Sequence, residues 1–257
     1  LMKAVILAGG LGTRLSEETV LKPKPLVDVG EMPIIWHIMK YYSHFGIKDF
    51  IICLGYKGYQ IKNFFLSHSQ LSGDINVNFR DNNIKHFDKP NDNWNITLAE
   101  TGLETNTAGR IRKIKKYLKG DDFFFLTYGD GLTNSNLKKT LNLHIRKKKS
   151  ITVTAVREPG RFGGLKIDNS NLVTAFSEKS DQIYINGGYF VLSTKVIDAI
   201  KSNKQSFEKD ILPIFSKKKD FVAYKHDGFW QCMDNFREKE YLNKLWKNKK
   251  APWKIWK

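Results

Sequence analysis

Near its start the chain carries Gly9-Gly10-Leu11-Gly12-Thr13-Arg14-Leu15, followed closely by Lys22-Pro23-Lys24-Pro25-Leu26. Glycines let successive backbone N–H groups turn toward an anion, and Arg14 adds a planar cationic fork. The prolines stiffen the second segment and keep its two lysines in extended backbone. A glycine turn followed by braced lysines suits a polyphosphate. It is not the dinucleotide fingerprint, because Leu15 stands where a third glycine is wanted, and no Gly-Lys-Ser/Thr follows to make a P-loop. Each segment alone also has a plainer reading, as a tight turn with a surface arginine or as a loop of solvated lysines.

Two acids form the second group of candidates. Asp130 lies in Tyr128-Gly129-Asp130-Gly131, just past an apolar run, and Asp234 lies in Gln231-Cys232-Met233-Asp234-Asn235. A carboxylate beyond the carboxyl end of a parallel strand sits where α/β sheets bind ligands. The plainer readings are a turn residue at 130 and a helix N-cap at 234. The six histidines show no metal-ligand spacing, Cys53 reads as core, and Cys232 has no paired base in sequence.

The elements that must position these groups follow from periodicity. Lys3 to Ala8, Asp49 to Leu54 and Asp122 to Tyr128 are short continuous apolar runs, as in strands buried on both faces. Pro33 to Phe45 carries a helical stripe with Pro at its start, and Gly58 to Leu66 reads as a second helix. Ser67 to Asn95 is polar, with short strands and a long loop expected. Asn95 to Glu100 reads as a strand, Gly102 to Gly109 as a loop, and Arg110 to Leu118 and Asn136 to Lys148 as helices. Strands are then expected at Ile151 to Val156, Gly164 to Asp168, Leu172 to Glu178, Tyr184 to Val191 and Phe221 to Lys225. Helices are expected at Thr194 to Lys201, Phe207 to Phe215 and Arg237 to Lys247. This alternation predicts one α/β domain over residues 1–257, a three-layer α/β/α arrangement around a mainly parallel sheet, with a strand-rich insertion or second lobe after about residue 150. Residues 1–131 and 132–257 are read as the two parts of that domain.

Composition narrows the class. Of 257 residues, 41% are hydrophobic and 13% aromatic, enough to build a core and to exclude intrinsic disorder. No apolar run is long enough to span a bilayer, and Ala4 to Ala8 is too short for a signal-peptide core, so no membrane association is expected. Two cysteines cannot make a disulfide framework, which suits the cytoplasm. The net charge of +17 is mostly lysine, in short runs such as Arg146-Lys147-Lys148-Lys149 and Lys217-Lys218-Lys219 near helix ends. That pattern reads as a solvated surface that also favours a polyanionic small substrate. No nucleic-acid motif accompanies it.

The two opening motifs together resemble the signature of the sugar nucleotidyltransferases, and the resemblance runs almost end to end. Thr127-Tyr128-Gly129-Asp130-Gly131, Pro159-Gly160-Arg161-Phe162-Gly163, Ile185-Asn186-Gly187-Gly188 and Gly228-Phe229-Trp230-Gln231 are similar to the glucose-1-phosphate cytidylyltransferase branch. The resemblance implies transfer of CMP from CTP to α-D-glucose 1-phosphate, with magnesium as cofactor and no covalent enzyme intermediate. It implies that Lys24, Arg14 and Asp130 are catalytic, and that Asp130 and Asp234 hold the metal. Nucleotide contacts would come from Leu7, Ala8, Gly9, Gly10, Gly12, Thr13, Arg14, Lys24 and Gly129, with Thr105, Gly109 and Arg110 reading the base. Tyr128, Glu178, Lys179, Asn186 and Gly187 would hold the sugar phosphate. Here Ser180 replaces the proline that usually follows the Glu-Lys pair, and Ala108 stands where a glycine is usual. The resemblance also implies a homo-oligomer, trimer or hexamer, that feeds CDP-linked sugars into cell-surface polysaccharide such as bacterial O antigen. Two alternatives stay open on the residues alone: the same fold using UTP, dTTP or GTP, and a basic nucleic-acid-binding protein without catalysis.

Overall fold

The computed structural model describes residues 2–71, 73–87, 92–157, 164–167, 172–177 and 184–256. Seven of the described strands join in one sheet: β1 (Lys3–Leu7), β2 (Asp49–Leu54), β3 (Asn95–Glu100), β4 (Phe123–Tyr128), β5 (Ile151–Arg157), β6 (Tyr184–Ser193) and β7 (Phe221–His226). Their spatial order is β7-β5-β6-β4-β1-β2-β3. β1 pairs in parallel with β2 and β4, β2 with β3, and β5 with β7, while β6 runs antiparallel to both β4 and β5. The sheet is therefore mixed and mainly parallel.

Both faces of the central strands are buried because their residues alternate between two apolar clusters. Ala4 and Ile6 of β1, with Phe50, Ile52 and Leu54 of β2, join one cluster. Val5, Leu7, Ile51 and Cys53 join the other. The first face is covered by α1 (Ile34–His44), whose Ile34, Ile35, Ile38, Met39, Tyr41 and Tyr42 are buried, and by Ile61 and Phe65 of α2 (Gly58–Gln70). The second is covered by α3 (Thr107–Lys113), through Ala108 and Ile111, and by Phe207, Ile211 and Phe215 from later in the chain. This is the three-layer arrangement expected from the alternating pattern. Two further helices, α4 (Leu137–Lys147) and α6 (Phe236–Lys247), start under Asn136 and Asn235, whose side chains cap their first turns.

After about residue 150, where a strand-rich insertion or second lobe is expected, the described strands divide. β5, β6 and β7 extend the main sheet, while the Gly164–Ile167 and Val173–Ser177 hairpin and the Trp230–Cys232 strand stand apart from it. Alternation reports that a strand is half or fully buried, but not which sheet it joins. Helix α3 begins at Thr107, inside the stretch expected to be loop, because the Asn106 side chain accepts from Thr107 N. Thr194–Ala199 winds as a 3-10 helix. Phe207–Ile211 is a π turn, closed by Leu212 N–H on the Phe207 carbonyl, before α5 (Leu212–Lys217). Pro213 lacks the N–H that would bond the Lys209 carbonyl in a regular α-helix, which accounts for the wider turn there.

The segment after α6 returns to α1. Trp253 is fully buried and donates its indole N–H to His37 Nδ1 at 3.3 Å, while His37 Nε2 meets the Val29 carbonyl at 2.8 Å. These partners fix the neutral ring with its proton on Nε2. Burial, only partly offset by the backbone bonds, lowers the His37 pKa to about 4.

Candidate functional site

The chain leaves the centre of the sheet at β1 and moves outward through β2 and β3, and then returns to the other flank of β1 at β4. The order therefore reverses between β1 and β4, and the crevice beyond their carboxyl ends is where open α/β sheets bind ligands. Leu7 and Tyr128 are register partners at that edge. Gly9 and Gly10 follow one strand, and Gly129 and Asp130 the other.

Leu7, Ala8 and Gly9 are buried, whereas Gly10 and Thr13 are exposed. The Gly9 carbonyl accepts from Tyr56 N at 3.2 Å, which holds the loop against the residues after β2. Gly12 turns the backbone with φ +67°, in the left-handed region that favours glycine. Its carbonyl accepts from Leu15 N and from Thr19 Oγ1, starting the Thr13–Leu15 turn. The Arg14 side chain lies outside the described residues. A Cβ placed on Gly12 would lie 3.3 Å from Lys24 Cβ, so the lysine stem runs directly alongside the glycine loop.

Lys24 opens a short 3-10 turn, Lys24–Leu26, set by prolines on both sides, with Pro25 and Leu26 buried. Its ammonium donates to Asp130 Oδ2 at 2.7 Å and to Asp234 Oδ1 at 2.5 Å. The lysine side chain is only 11% exposed, and the aspartates 28% and 20%. Burial alone would lower the lysine pKa, but the charges and hydrogen bonds of Asp130 and Asp234 outweigh it and hold the ammonium above the ordinary lysine value.

The two aspartates meet because of a three-residue strand pair. Gly131–Thr133 runs antiparallel to Trp230–Cys232, with Gly131 opposite Cys232. Asp130 precedes the first strand and Asp234 follows the second, so both emerge at the same end, and Met233 N bonds the Asp130 carbonyl at 2.8 Å. Asn235, not Asp234, caps α6. Glu238 of that helix accepts from Asp234 N at 2.6 Å, so the cap orders the backbone of Asp234 while its carboxylate faces Lys24. Among the described residues no cluster of three or more His, Cys, Asp or Glu could hold a metal. The pair Asp130 and Asp234, already satisfied by one cation, fits a hard divalent ion that takes its other ligands from phosphate and water.

Beside the aspartates lies a cavity of about 210 Å³, lined by Tyr128, Asp130, Asn186, Gly187, Trp230 and Asp234, among others. Three sequence-predicted sugar contacts, Tyr128, Asn186 and Gly187, thus come together with both acids. Trp230 also lines it, and its indole N–H bonds the Gly187 carbonyl at 2.8 Å. Glu178 and Lys179 lie outside the described residues. A larger groove of about 720 Å³ along α6 and Gly30 is lined by none of these groups.

The expected base-reading residues are buried beneath the glycine loop. Arg110 is 4% exposed. Its guanidinium donates to the carbonyls of Leu54, Gly102 and Gly9 and to Thr101 Oγ1, at 2.7 to 3.0 Å. Burial lowers its pKa. Gly109 packs on the Asn203 backbone, where a Cβ would lie 2.3 Å from the Asn203 oxygen. Thr105 is buried as well. Arg110 thus braces the loop through the Gly9 carbonyl. Spacing does not reveal which donors are consumed by backbone carbonyls.

A family model described as Nucleotidyl transferase matches residues 3–238. The glucose-1-phosphate cytidylyltransferase of Salmonella typhimurium is 48% identical over 257 residues, covering 99% of this chain and 100% of that protein. The probable glucose-1-phosphate cytidylyltransferase of Bacillus subtilis is 43% identical over 258 residues, with the same coverage. The crystal structure of HddC from Yersinia pseudotuberculosis complexed with GMP-PN superposes with a TM-score of 0.70 at 26% identity, over 96% of this chain and 100% of that one.

Proposed function

The chain belongs to the nucleotidyl transferase family, and on that footing we propose that it transfers CMP from CTP to α-D-glucose 1-phosphate, releasing pyrophosphate. A phosphate oxygen of the sugar phosphate attacks the α-phosphorus in line. The new P–O bond forms as the bond to the bridging oxygen of pyrophosphate breaks. The attacking oxygen is already anionic, so no general base is required. The obstacle is repulsion between two anions, and positioned cations are what lower it.

In this reading the exposed amides of Gly10 to Thr13 cradle the triphosphate, and Arg14 stabilises the departing pyrophosphate. Lys24 turns from the aspartates toward the phosphates at the reacting centre. Asp130 and Asp234 would hold magnesium, which when bound would neutralise phosphate charge. Tyr128, Asn186 and Gly187 hold the hexose. The observation that carries the reading is the convergence of Lys24, Asp130 and Asp234 beside both the glycine loop and the cavity. Two relatives bearing the cytidylyl name, at 48% and 43% identity, favour CTP and glucose 1-phosphate over the other nucleotide and sugar pairs.

The test is pyrophosphate release with CTP, UTP, dTTP and GTP in turn, each with glucose 1-phosphate and magnesium. CTP should be used best by a wide margin, and a clear preference for another triphosphate would overturn the assignment. The reading extends to a cytoplasmic enzyme, with Cys53 and Cys232 both unpaired, and no described helix is long and apolar enough to cross a membrane. It also extends to a trimer or hexamer, for which the exposed Phe79, Ile84 and Phe87 around the Ile75–Asn78 and Asn83–His86 hairpin offer apolar surface. Light scattering on the purified protein tests the assembly.

A further inference from the structure

Glu208 lies in the π turn, outside every residue the reaction has so far required, yet three side chains converge on it. Tyr128 donates its phenol proton to Oε1. Thr107 Oγ1 and Ser206 Oγ reach Oε2 at 2.7 and 2.8 Å. Tyr128 lines the cavity, and Thr107 is the first residue of α3, next to the expected base-reading segment. The carboxylate thus bonds a side chain of the cavity wall.

The directions of these bonds follow from the chemistry of the groups. A carboxylate only accepts, so Tyr128, Thr107 and Ser206 must donate to it. With its proton committed to Glu208, the phenol oxygen has only lone pairs left to offer a further partner.

We propose that Glu208 is a positioning residue that fixes the Tyr128 phenol as a hydrogen-bond acceptor at the wall of the cavity, in the orientation that receives a sugar hydroxyl. This rests on the cavity being the sugar-phosphate subsite, as proposed above. The π turn serves the purpose by widening the helix at its start, where Ser206 also bonds the same carboxylate.

The test combines kinetics with a measurement that needs no substrate. Glu208→Ala should raise KM for glucose 1-phosphate by about tenfold while KM for CTP stays within about twofold. Glu208→Gln should recover most of the loss, because its amide oxygen still accepts the phenol proton. Tyr128→Phe with Glu208→Ala should be no worse for the sugar phosphate than Tyr128→Phe alone, as expected of residues acting in one chain. Equal effects on both substrates, no effect on either, or full additivity would overturn the proposal. The ring resonances of Tyr128, identified by their loss in Tyr128→Phe, should shift in Glu208→Ala and return in Glu208→Gln. Unchanged resonances would overturn the proposal whatever the sugar. Shifted resonances in a protein that makes no CDP-glucose would instead overturn the assigned reaction and leave the Glu208–Tyr128 contact in place.

Discussion

Replacing Lys24 by methionine keeps the stem that runs beside Gly12 and removes the charge between Asp130 and Asp234. Both carboxylates bond the same nitrogen at 2.7 and 2.5 Å, so their oxygens lie within about 5 Å of each other, a separation at which like charges disfavour each other's ionised forms. Two unit charges at about 5 Å repel by roughly 3 kcal/mol at an effective dielectric of about 20. The aspartates are 28% and 20% exposed, so solvent reduces that figure. In the wild type an arriving cation must displace the ammonium. In Lys24→Met it meets an unrelieved pair of negative charges with no competitor. Nucleotide-free Lys24→Met should therefore bind Mn2+ about tenfold to a hundredfold more tightly than wild type. Titration followed by electron paramagnetic resonance measures this directly. The same variant should lose at least about a hundredfold in pyrophosphate release, because a positioned cation at the reacting centre is gone. Thermal unfolding, run alongside, shows that the fold survives. Metal binding no tighter than wild type would refute the idea that the lysine stands where the cation belongs, and near-normal turnover would remove it from the reaction.

Asp130→Asn should abolish product formation in the same assay while the protein stays folded, since the amide keeps the shape and loses the charge. Stability should fall between pH 6.5 and about 4, because the unfolded chain takes up a proton that buried His37 refuses until pH falls to about 4; the contribution, fully present above pH 6.5, is about 3 kcal/mol. Urea unfolding of wild type and His37→Gln across that range should show a shallower slope for the variant, and identical slopes would contradict the assignment. Gly109→Ala, whose Cβ meets the Asn203 backbone, should cost about 1–3 kcal/mol of stability. Gly10→Ala, with nothing within 4 Å of the new carbon, should leave the melting temperature unchanged and raise KM for CTP if the loop approaches phosphate. A stability loss at Gly10 would count against that open surface.

Much of the fold was readable because the central strands are buried on both faces. Lys3–Leu7 and Asp49–Leu54 are continuous apolar runs, and their borders are marked by glycines and charged residues. The helical stripe of Ile34–His44 was equally legible, and its boundaries differ from the expectation by one residue. The joining of β5, β6 and β7 to the main sheet was not legible, because period-two alternation is the same in either sheet. The meeting of Asp130 with Asp234 was reachable only through the family resemblance. Gly131–Thr133 and Trp230–Cys232 are too short for periodicity, and nothing local announces that they pair. The enclosure of Arg110 by carbonyls and the part taken by Glu208 escaped for a related reason: each depends on partners 50 to 100 residues away whose geometry a linear pattern does not carry.

The short ladder between Gly131–Thr133 and Trp230–Cys232 also governs when the protein can first act during its own synthesis. A ribosome that has released β1 to β4 has already made the glycine turn, Lys24 and one acid, but the opposite acid arrives only with the return of a strand 100 residues later. Until then Lys24 has a single carboxylate to hold, and the nascent chain has no paired anionic seat that could draw in a divalent ion. Convergence of the two acids on Lys24 is thus tied to synthesis of the chain as far as Asp234, and a fragment stopped before Trp230 should be inert however well its first sheet strands have packed.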